Sequence, residues 1–235
     1  SSIVNQVEAE SLRSLRRGMF ARRNIKAGVT LQEQDIYFAF PPEEDQYTAN
    51  DWSKYVLCTT TYDILIDSAI SPANALLVDQ RENILKIANS ARELLRVSGI
   101  TFPGSTDLEI SHHYGFDKFW QVGLTMLTVV NRSYCKKLLL LFPGQRHPEQ
   151  YHKLKEETFH VLYGDLQLQL NGNCQSCKPG DVITVDPGVR HAFHSNSGAI
   201  IEEISSTHFS NDSYYTDPII NGNQNRKTLL SYWLE

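Results

Sequence analysis

The chain has 235 residues, 41% of them hydrophobic and 21% charged, which is typical of a globular protein with one large or two small domains. A formal net charge of −5 argues against a nucleic-acid partner, and the apolar runs are too short for a membrane span or a signal peptide. Four cysteines are too few for a disulfide framework, so we expect a reducing, cytoplasmic location.

Residues 1–45 are predicted to form a small β-rich module, because short apolar runs alternate with turn signals. Residues 18–21 and 36–40 have the length of strands, and Lys26-Ala27-Gly28 between them indicates a tight turn. Two consecutive prolines at 41–42 end the module. The sequence starts with two serines rather than a methionine, so we expect it to be a piece of a longer protein.

Residues 46–105 are predicted to be a connector. Their clearest element is a helix over about 77–97, where apolar residues recur at three- and four-residue spacing and charged residues occupy the opposite face. Ser98 and Gly99 end this helix. We expect the helix to be a packing element.

From residue 106 to the end the pattern is β. Apolar runs of strand length, separated by turn signals, occur at 119–122, 125–130, 137–142, 157–162, 166–170, 181–185, 189–194 and 199–205. Many short strands at regular spacing predict a barrel or a sandwich. A polar tail from residue 207 ends in an apolar stretch, which we expect to pack back on the barrel.

Four polar residues are spaced so that they can meet inside such a barrel: Gln150, His152, Glu157 and His191. Side chains two positions apart on a strand share a face, so Gln150 and His152 both point inward, while the other two return on neighbouring strands. Two imidazoles, a carboxylate and an amide oxygen can bind one divalent metal ion, whether Zn, Mn, Fe or Ni. The alternative is a polar cavity in which the same residues are hydrogen-bonded without a metal.

His147 is a rival for the first ligand position. It lies five residues before His152, and an odd count does not suit a shared strand face. The same alternation predicts that His160 and His194 point out of the barrel.

Five further residues are candidates for contact with a substrate or for catalysis. His112 and His113 can reach a polar cavity or play a structural role. Glu202 and Glu203 lie on a late strand, where alternation lets only one of them face inward as a general base. Lys137 can bind an anionic group or line the mouth of the barrel.

Residues 106–210 resemble the cupin superfamily. The cupin pattern places a glycine before His-x-His, a glutamate and a second glycine, and a later part ends in a Pro-x-Gly turn and a histidine. The matching positions are Gly144, His152, Glu157, Gly164, Gly180, Gly188 and His191, with Gln150 in place of the first histidine. The resemblance implies a mainly β fold with a double-stranded β-helix, or jelly-roll, barrel.

The stretch from 111 to 208 is also similar to cupin sugar isomerases of the D-lyxose isomerase type. That resemblance implies a bound divalent metal, a sugar or sugar phosphate as ligand, and a glutamate that moves a proton between carbons 1 and 2. Gln150 departs from the pattern. Isomerisation or epimerisation is the leading hypothesis; a non-catalytic sugar-binding or dimerisation domain and a metal-dependent dioxygenase are the alternatives.

Residues 12–42 resemble the SAF module, an antifreeze-like β-clip found at the end of sialic acid synthases. The resemblance is carried by Arg16-Arg17-Gly18, by Ile25-Lys26-Ala27-Gly28 and by Glu33-Gln34-Asp35-Ile36. It implies part of a nonulosonic or sialic acid synthase-like protein, without the condensing TIM barrel. It also implies a homodimer in which Arg16 or Arg17 binds the sugar substrate; an arginine pair on the surface is the alternative.

Overall fold

A computed structural model describes Ser11 and residues 15–209, 211–223 and 225–234. The chain divides into two compact units, Ser1–Glu82 and Asn83–Glu235. In the described part of the chain, none of the helices combines the length and the apolar character that a membrane span requires. Residues 12–14, at the start of the SAF-like stretch, lie outside the described residues.

The first unit contains two antiparallel strand pairs. Strand β1 (Gly18–Ala21) pairs with β2 (Ile36–Ala39), and β3 (Val56–Thr60) pairs with β4 (Ala75–Asp79). A short 3-10 helix at Glu33–Asp35 precedes β2. The strands expected near residues 18–21 and 36–40 are confirmed.

One hydrophobic core joins both strand pairs of the first unit. Its buried members come from residues 19–36 and also from residues 58–75: Met19, Ala21, Ile25, Leu31, Ile36, Cys58, Ile64, Ile70 and Ala75. The boundary predicted at residue 45 is therefore too early. Pro41 and Pro42 end a strand but not the unit, because the segments on either side of them complete the same core.

Helix α1 (Arg81–Ser98) starts four residues later than predicted, because residues 77–79 belong to β4. Asp79 Oδ1 accepts the backbone N–H of Arg81 at 2.9 Å, which satisfies one free donor of the first turn. The stripe that the helix buries consists of Ile84, Ile87, Ala88, Ala91 and Leu95. Gly99 ends the helix with a positive φ of 69°, a conformation that favours glycine.

The second unit is built from antiparallel strands, which confirms the mainly β class. In chain order they are β5 (Leu108–Ser111), β6 (Leu124–Asn131), β7 (Tyr134–Leu141), β8 (Arg146–Tyr151), β9 (Glu157–Gly164), β10 (Leu166–Leu170), β11 (Asn173–Cys177), β12 (Val182–Val185), β13 (His191–His194), β14 (Ala199–Ser206), β15 (Tyr214–Tyr215) and β16 (Lys227–Leu230). A short 3-10 helix (Phe116–Lys118) and helix α2 (Pro218–Gly222) complete the elements.

Two sheets form the barrel. One has the strand order β12-β9-β14-β7-β6-β5-β16, and the other has the order β11-β10-β13-β8-β15. A shared hydrophobic core draws Leu139, Leu141 and Phe159 from the larger sheet and Leu168 and Phe193 from the smaller one. Truncation of such a buried leucine to alanine costs about 2–5 kcal/mol, so this core is a main source of the stability of the unit.

One predicted strand is absent, and one observed strand has no hydrophobic pattern. Residues 119–121 are a turn rather than a strand, and Val122 forms only an isolated bridge with Arg146. Phe119 is fully buried against Phe142, and its carbonyl accepts the Gln145 side chain at 2.7 Å. Strand β8 carries no apolar alternation, because its sequence is Arg-His-Pro-Glu-Gln-Tyr. The inward positions of this strand are polar, so hydrophobic patterning could not find it.

The tail after residue 207 packs on the barrel, as expected. Strand β15 adds to the edge of the smaller sheet beside β8, and β16 adds to the edge of the larger sheet beside β5. The indole N–H of Trp233 donates to the carbonyl of Thr106 at 2.8 Å. The tail therefore supplies one edge strand to each sheet.

Candidate metal centre

Three buried side chains converge between the two sheets. His152 follows β8, Glu157 begins β9 and His191 begins β13. One ligand atom from each of them lies within 4.8 Å of the others. His152 Nε2 is 3.2 Å from Glu157 Oε1, and His191 Nε2 is 3.3 Å from Glu157 Oε2. The fold thus brings together three of the four predicted ligands.

Both imidazoles present the same nitrogen to the centre. His152 Nδ1 is 2.5 Å from the backbone oxygen of Asp212, and His191 Nδ1 is 3.1 Å from that of Val189. A carbonyl oxygen can only accept, so each Nδ1 carries the proton and each Nε2 keeps its lone pair. This is the tautomer that a histidine needs to bind a metal through Nε2.

The donor set fits a divalent cation. His152 Nε2 and Glu157 Oε2 are buried and have no hydrogen-bond partner among the described residues. Buried polar atoms left without a partner are costly and need an explanation. A divalent ion bound by two imidazoles and a carboxylate satisfies both atoms at once, and this ligand set is typical of zinc, iron or manganese sites.

Gln150 lies beside this cluster on β8. It is 9% exposed, and its Nε2 is 3.3 Å from His191 Nε2. The two ends of a glutamine amide are assigned from the hydrogen-bond network, and rotation by half a turn presents the oxygen instead. The amide can therefore supply a fourth oxygen ligand.

The charges at the centre also suit a cation. Burial alone would raise the pKa of Glu157, but His152, Lys155 and His191 together hold the pKa well below its ordinary value. Burial lowers the pKa of His191, which outweighs the opposite effect of the Glu157 charge. The carboxylate is therefore ionised and the imidazole neutral near pH 7, which are the forms that bind metals.

Lys155 and Glu203 extend the centre. The Lys155 ammonium is in contact with Glu157 Oε1 and lies 3.1 Å from Glu203 Oε1, with all three side chains buried. Burial alone would lower the pKa of Lys155, but the two carboxylates raise it above its ordinary value. Sequence reasoning missed Lys155, and the only signal was its position two residues before Glu157.

The two late glutamates lie on opposite faces of β14. Glu203 is buried and lines the cavity. Glu202 points away, with an oxygen 2.6 Å from Lys136 Nζ and another 3.3 Å from His160 Nδ1. Strand alternation explains the difference: of the two glutamates, Glu203 faces the cavity and Glu202 does not.

Residues 138–203 match the protein family described as Cupin domain, and this stretch contains all four predicted ligands. The barrel has the cupin fold. The L-ribose isomerase of Geodermatophilus obscurus superimposes with a TM-score of 0.52 at 14% identity, over 62% of this chain and 96% of that one. At this identity the likeness concerns the fold alone.

Two relatives are similar in sequence to this chain. The D-lyxose/D-mannose isomerase of Thermosediminibacter oceani is 29% identical over 172 residues, which cover 60% of this chain and 94% of that protein. The D-lyxose ketol-isomerase of Cohnella laeviribosi is 29% identical over 156 residues, covering 54% and 86%. This chain is thus similar to cupin sugar isomerases along nearly their whole length.

His147 also faces the interior of the cupin barrel, contrary to the expectation from its odd spacing. In the pairing of β8 with β13, Gln150 lies opposite His191 and His147 lies opposite Phe193. His147 lies three residues from Gln150 on β8, whereas Phe193 lies two residues from His191 on β13. The extra residue on β8 is a β-bulge. The extra residue turns His147 and Gln150 to the same side, and the His147 ring stacks on Phe193 at 4.8 Å.

His112 and His113 do not line the cupin cavity, and their contacts fit the structural role that the sequence left open. The His112 ring stacks on Phe116 at 4.0 Å, and burial lowers its pKa to about 4. His113 packs behind His147 at 5.0 Å, and burial lowers its pKa to about 3. Strand β5 ends at Ser111, which lines the cavity instead.

The cavity encloses about 430 Å³ of space, its mouth included. Lys137 lines it together with Lys155 and Lys227. Arg16 and Arg17 are exposed residues of the first unit, and all residues that line the cavity belong to the second.

Asp212 supports the centre from the tail of the cupin barrel. Its carboxylate accepts the backbone N–H groups of Lys153, Leu154 and Lys155 at 3.0–3.1 Å, and its backbone oxygen holds His152. These partners lie 57–60 residues away in sequence. No local pattern marks such a residue, so sequence reasoning could not find it.

Proposed function

We propose that the cupin barrel is a divalent-metal-dependent sugar isomerase, which interconverts an aldose and the corresponding ketose. One observation carries this proposal: Glu203 lines the same cavity as His152 and Glu157, and Lys155 links Glu203 to Glu157. The similarity to D-lyxose isomerases over 172 residues supports the same class of reaction.

His152, Glu157 and His191 would hold the metal ion, with the amide oxygen of Gln150 as a fourth ligand. When bound, a divalent cation polarises a carbonyl group and eases the ionisation of the neighbouring hydroxyl. The backbone oxygens of Asp212 and Val189 keep both imidazoles in position, so the ligand set is arranged before an ion arrives.

Glu203 is the proton carrier in this proposal. Its Oε1 accepts from Lys155 Nζ at 3.1 Å and Ser205 Oγ at 3.4 Å, which leaves Oε2 for the substrate. Oε2 takes the proton from carbon 2 of the aldose, and the C–H electron pair forms the double bond of an enediol. The same proton is then delivered to carbon 1, while the proton of the carbon-2 hydroxyl moves to the oxygen on carbon 1.

Lys155 is a positioning residue. Its ammonium lies between Glu157 and Glu203 and holds the two carboxylates at a fixed separation. Two buried carboxylates without a cation between them would repel each other and take up protons. The lysine therefore keeps a general base and a metal ligand ionised side by side.

The test compares Glu203→Gln with Glu202→Gln in the whole protein. D-lyxose and D-mannose are incubated in D₂O, and NMR follows both the isomerisation and the exchange of the carbon-2 proton. We expect Glu203→Gln to lower both rates by at least about 100-fold, the usual contribution of a general base, with the metal content unchanged. Glu202→Gln keeps both rates. Equal rates in the two variants would refute the role of Glu203.

A second candidate function is a sugar-binding accessory domain without catalysis. It is favoured by the contact of Lys155 with Glu157, because this ammonium neutralises the carboxylate without a metal. Gln150 in place of the first histidine of the cupin pattern points the same way. Elemental analysis of protein purified without chelator separates the two. Sugar binding with no bound metal supports the accessory domain, and stoichiometric metal supports the isomerase.

We also propose that the first unit is a SAF-like module of a nonulosonic or sialic acid synthase-like protein. The ordered resemblance over residues 12–42 supports this, as do the exposed Arg16 and Arg17, which are available to a ligand. The corresponding synthases act as homodimers. Sedimentation equilibrium tests this part, because a monomer at every concentration contradicts it.

A further inference from the structure

We propose that the sugar bound by this cupin carries an anionic group, a phosphate or a carboxylate, and that Lys137 binds it with the help of Lys227. The anionic group would lie at the end of the sugar away from the two reacting carbons. This inference rests on the proposed function, which places the reacting carbons beside His152, His191 and Glu203.

Lys137 is the observation that carries the proposal. It lies on β7, is only 4% exposed and lines the cavity. Its ammonium group forms no ion pair or hydrogen bond with any residue in the described part of the chain, although its backbone pairs within the sheet. The other two lysines of the cavity do: Lys155 with Glu157 and Glu203, and Lys227 with Glu109 at 2.6 Å. A buried ammonium without a partner is costly, so a ligand that supplies one is favoured.

The charges of the cavity favour the same conclusion. Three lysines are balanced by three carboxylates that line the cavity or pair with its lysines: Lys137, Lys155 and Lys227 against Glu109, Glu157 and Glu203. A bound divalent cation would give this otherwise balanced set of side chains a surplus of positive charge. An anionic substituent on the substrate reduces that surplus, whereas a neutral sugar leaves it in place.

The sheet places Lys137 at a suitable distance from the metal ligands. Strand β14 lies between β9 and β7, and Glu203 is directly opposite Lys137. Adjacent strands are about 4.8 Å apart, so β7 is roughly 10 Å from β9, the strand of Glu157. An extended sugar phosphate or sugar acid has this length, with Glu203 beside its reacting carbons.

Two hydroxyl groups of the cavity add hydrogen-bond donors to the ammonium groups of Lys137 and Lys227. Ser111 on β5 lines the cavity, and its neighbour across the sheet is Lys227 on β16. Ser213 from the tail lines the cavity as well. Two ammonium groups and two hydroxyls are the donors that bind phosphate or carboxylate oxygens in proteins.

The test is calorimetric binding to the metal-loaded whole protein in the Glu203→Gln background, where no turnover interferes. The three probes are D-mannose, D-mannose 6-phosphate and D-mannuronate. We expect at least one anionic probe to bind about tenfold tighter than D-mannose at low salt, and added salt to reduce this advantage. The two anionic probes distinguish a phosphate from a carboxylate.

Lys137→Met removes the charge, and Lys136→Met is its matched control, because Lys136 lies next to it on the outer face with Glu202. The anionic advantage disappears in Lys137→Met, and remains in Lys136→Met and in Lys137→Arg. If the protein with Lys137 intact binds the neutral and anionic probes equally, the proposal is overturned, and no Lys137 variant is needed to reach that conclusion. An advantage that survives Lys137→Met also overturns it.

The outcomes separate this inference from the proposed function. In one outcome, anionic probes bind more tightly in a way that depends on Lys137, but the protein with Glu203 intact isomerises none of the probes. This result supports the anionic ligand and contradicts the isomerase. Isomerisation of D-mannose together with rejection of both anionic probes supports the isomerase and overturns the anionic ligand.

Discussion

His152 Nδ1 lies 2.5 Å from the backbone oxygen of Asp212, and the carboxylate of the same aspartate accepts three backbone N–H groups from residues 153–155. One residue of the tail therefore fixes both the orientation of a metal-binding ring and the path of the loop that leads to Glu157. Control of a ligand through such an outer partner is common in metal proteins.

Asp212→Asn tests this relationship. The amide has one acceptor oxygen and no charge, so the loop and the His152 ring lose their fixed position. We expect the dissociation constant for metal to rise by about 10- to 100-fold, measured by competition with a chelator. Asp165→Asn is the control, because Asp165 accepts loop N–H groups far from the centre. Equal affinities in both variants would rule out the supporting role of Asp212.

Gln150→His restores the first histidine of the cupin pattern. Imidazole is a better ligand than an amide oxygen for zinc-like metals, so we expect about tenfold tighter binding of Zn²⁺. Gln150→Ala removes the amide and should weaken binding. If neither substitution changes the affinity in a chelator competition, Gln150 is not a ligand.

Lys155→Met leaves two buried carboxylates without their cation. We expect a loss of about 3–5 kcal/mol in the free energy of unfolding of the metal-free protein, the usual cost of breaking a buried ion pair. Added metal recovers part of this loss, because it neutralises Glu157. Urea unfolding with and without metal measures both effects. Lys153→Met is the control, since Lys153 is exposed and should change stability little; a similar loss in both variants would contradict the prediction.

Asp165 predicts a pH dependence of stability. Burial alone would raise its pKa, but hydrogen bonds from Ser197, Asn196 and Ser195 lower it to about 2 from 3.8. A depressed pKa in the folded state stabilises the protein above pH 4, and this contribution is lost as the pH falls toward 2. Asp165→Asn should therefore cost about 1 kcal/mol at pH 7, after allowance for solvent screening, and nothing near pH 2.

Thermal unfolding between pH 2 and pH 7 measures that difference. Asp117→Asn, a change at an exposed carboxylate, serves as the control and should show no such dependence. A constant difference between Asp165→Asn and the unchanged protein over this range contradicts the prediction.

Most of the cupin barrel could be predicted from local sequence. Strands β6, β7, β9, β10 and β14 lie within a few residues of the predicted runs, because each carries apolar residues that pack in the core of the barrel. Strand β8 has no hydrophobic pattern, since polar residues of the cavity replace its apolar positions, and only the motif spacing indicated a strand there. The extent of the first unit was missed, because its core depends on distant contacts such as the bridge between Ile25 and Ile64.

The residues of the candidate site could be predicted where strand alternation and the spacing of the cupin motif apply. Gln150 lies on β8, His152 directly follows it and His191 begins β13, and the structure brings the three together. His147 was misplaced because no sequence feature reports a bulge, which depends on the partner strand. Asp212 could not be found, because its contacts span about sixty residues of chain.

The attachment of the tail to both sheet edges has a consequence for biosynthesis. When Ser206 has just been added during synthesis, all four candidate ligands are already part of the chain. Strands β15 and β16 and Asp212, whose backbone oxygen holds His152, have not yet been synthesised. Chains emerge from their N-terminal side, so the edges of β5 and β8 remain unpaired until these last segments appear. The residue that holds the His152 ring is therefore synthesised only after all four candidate ligands.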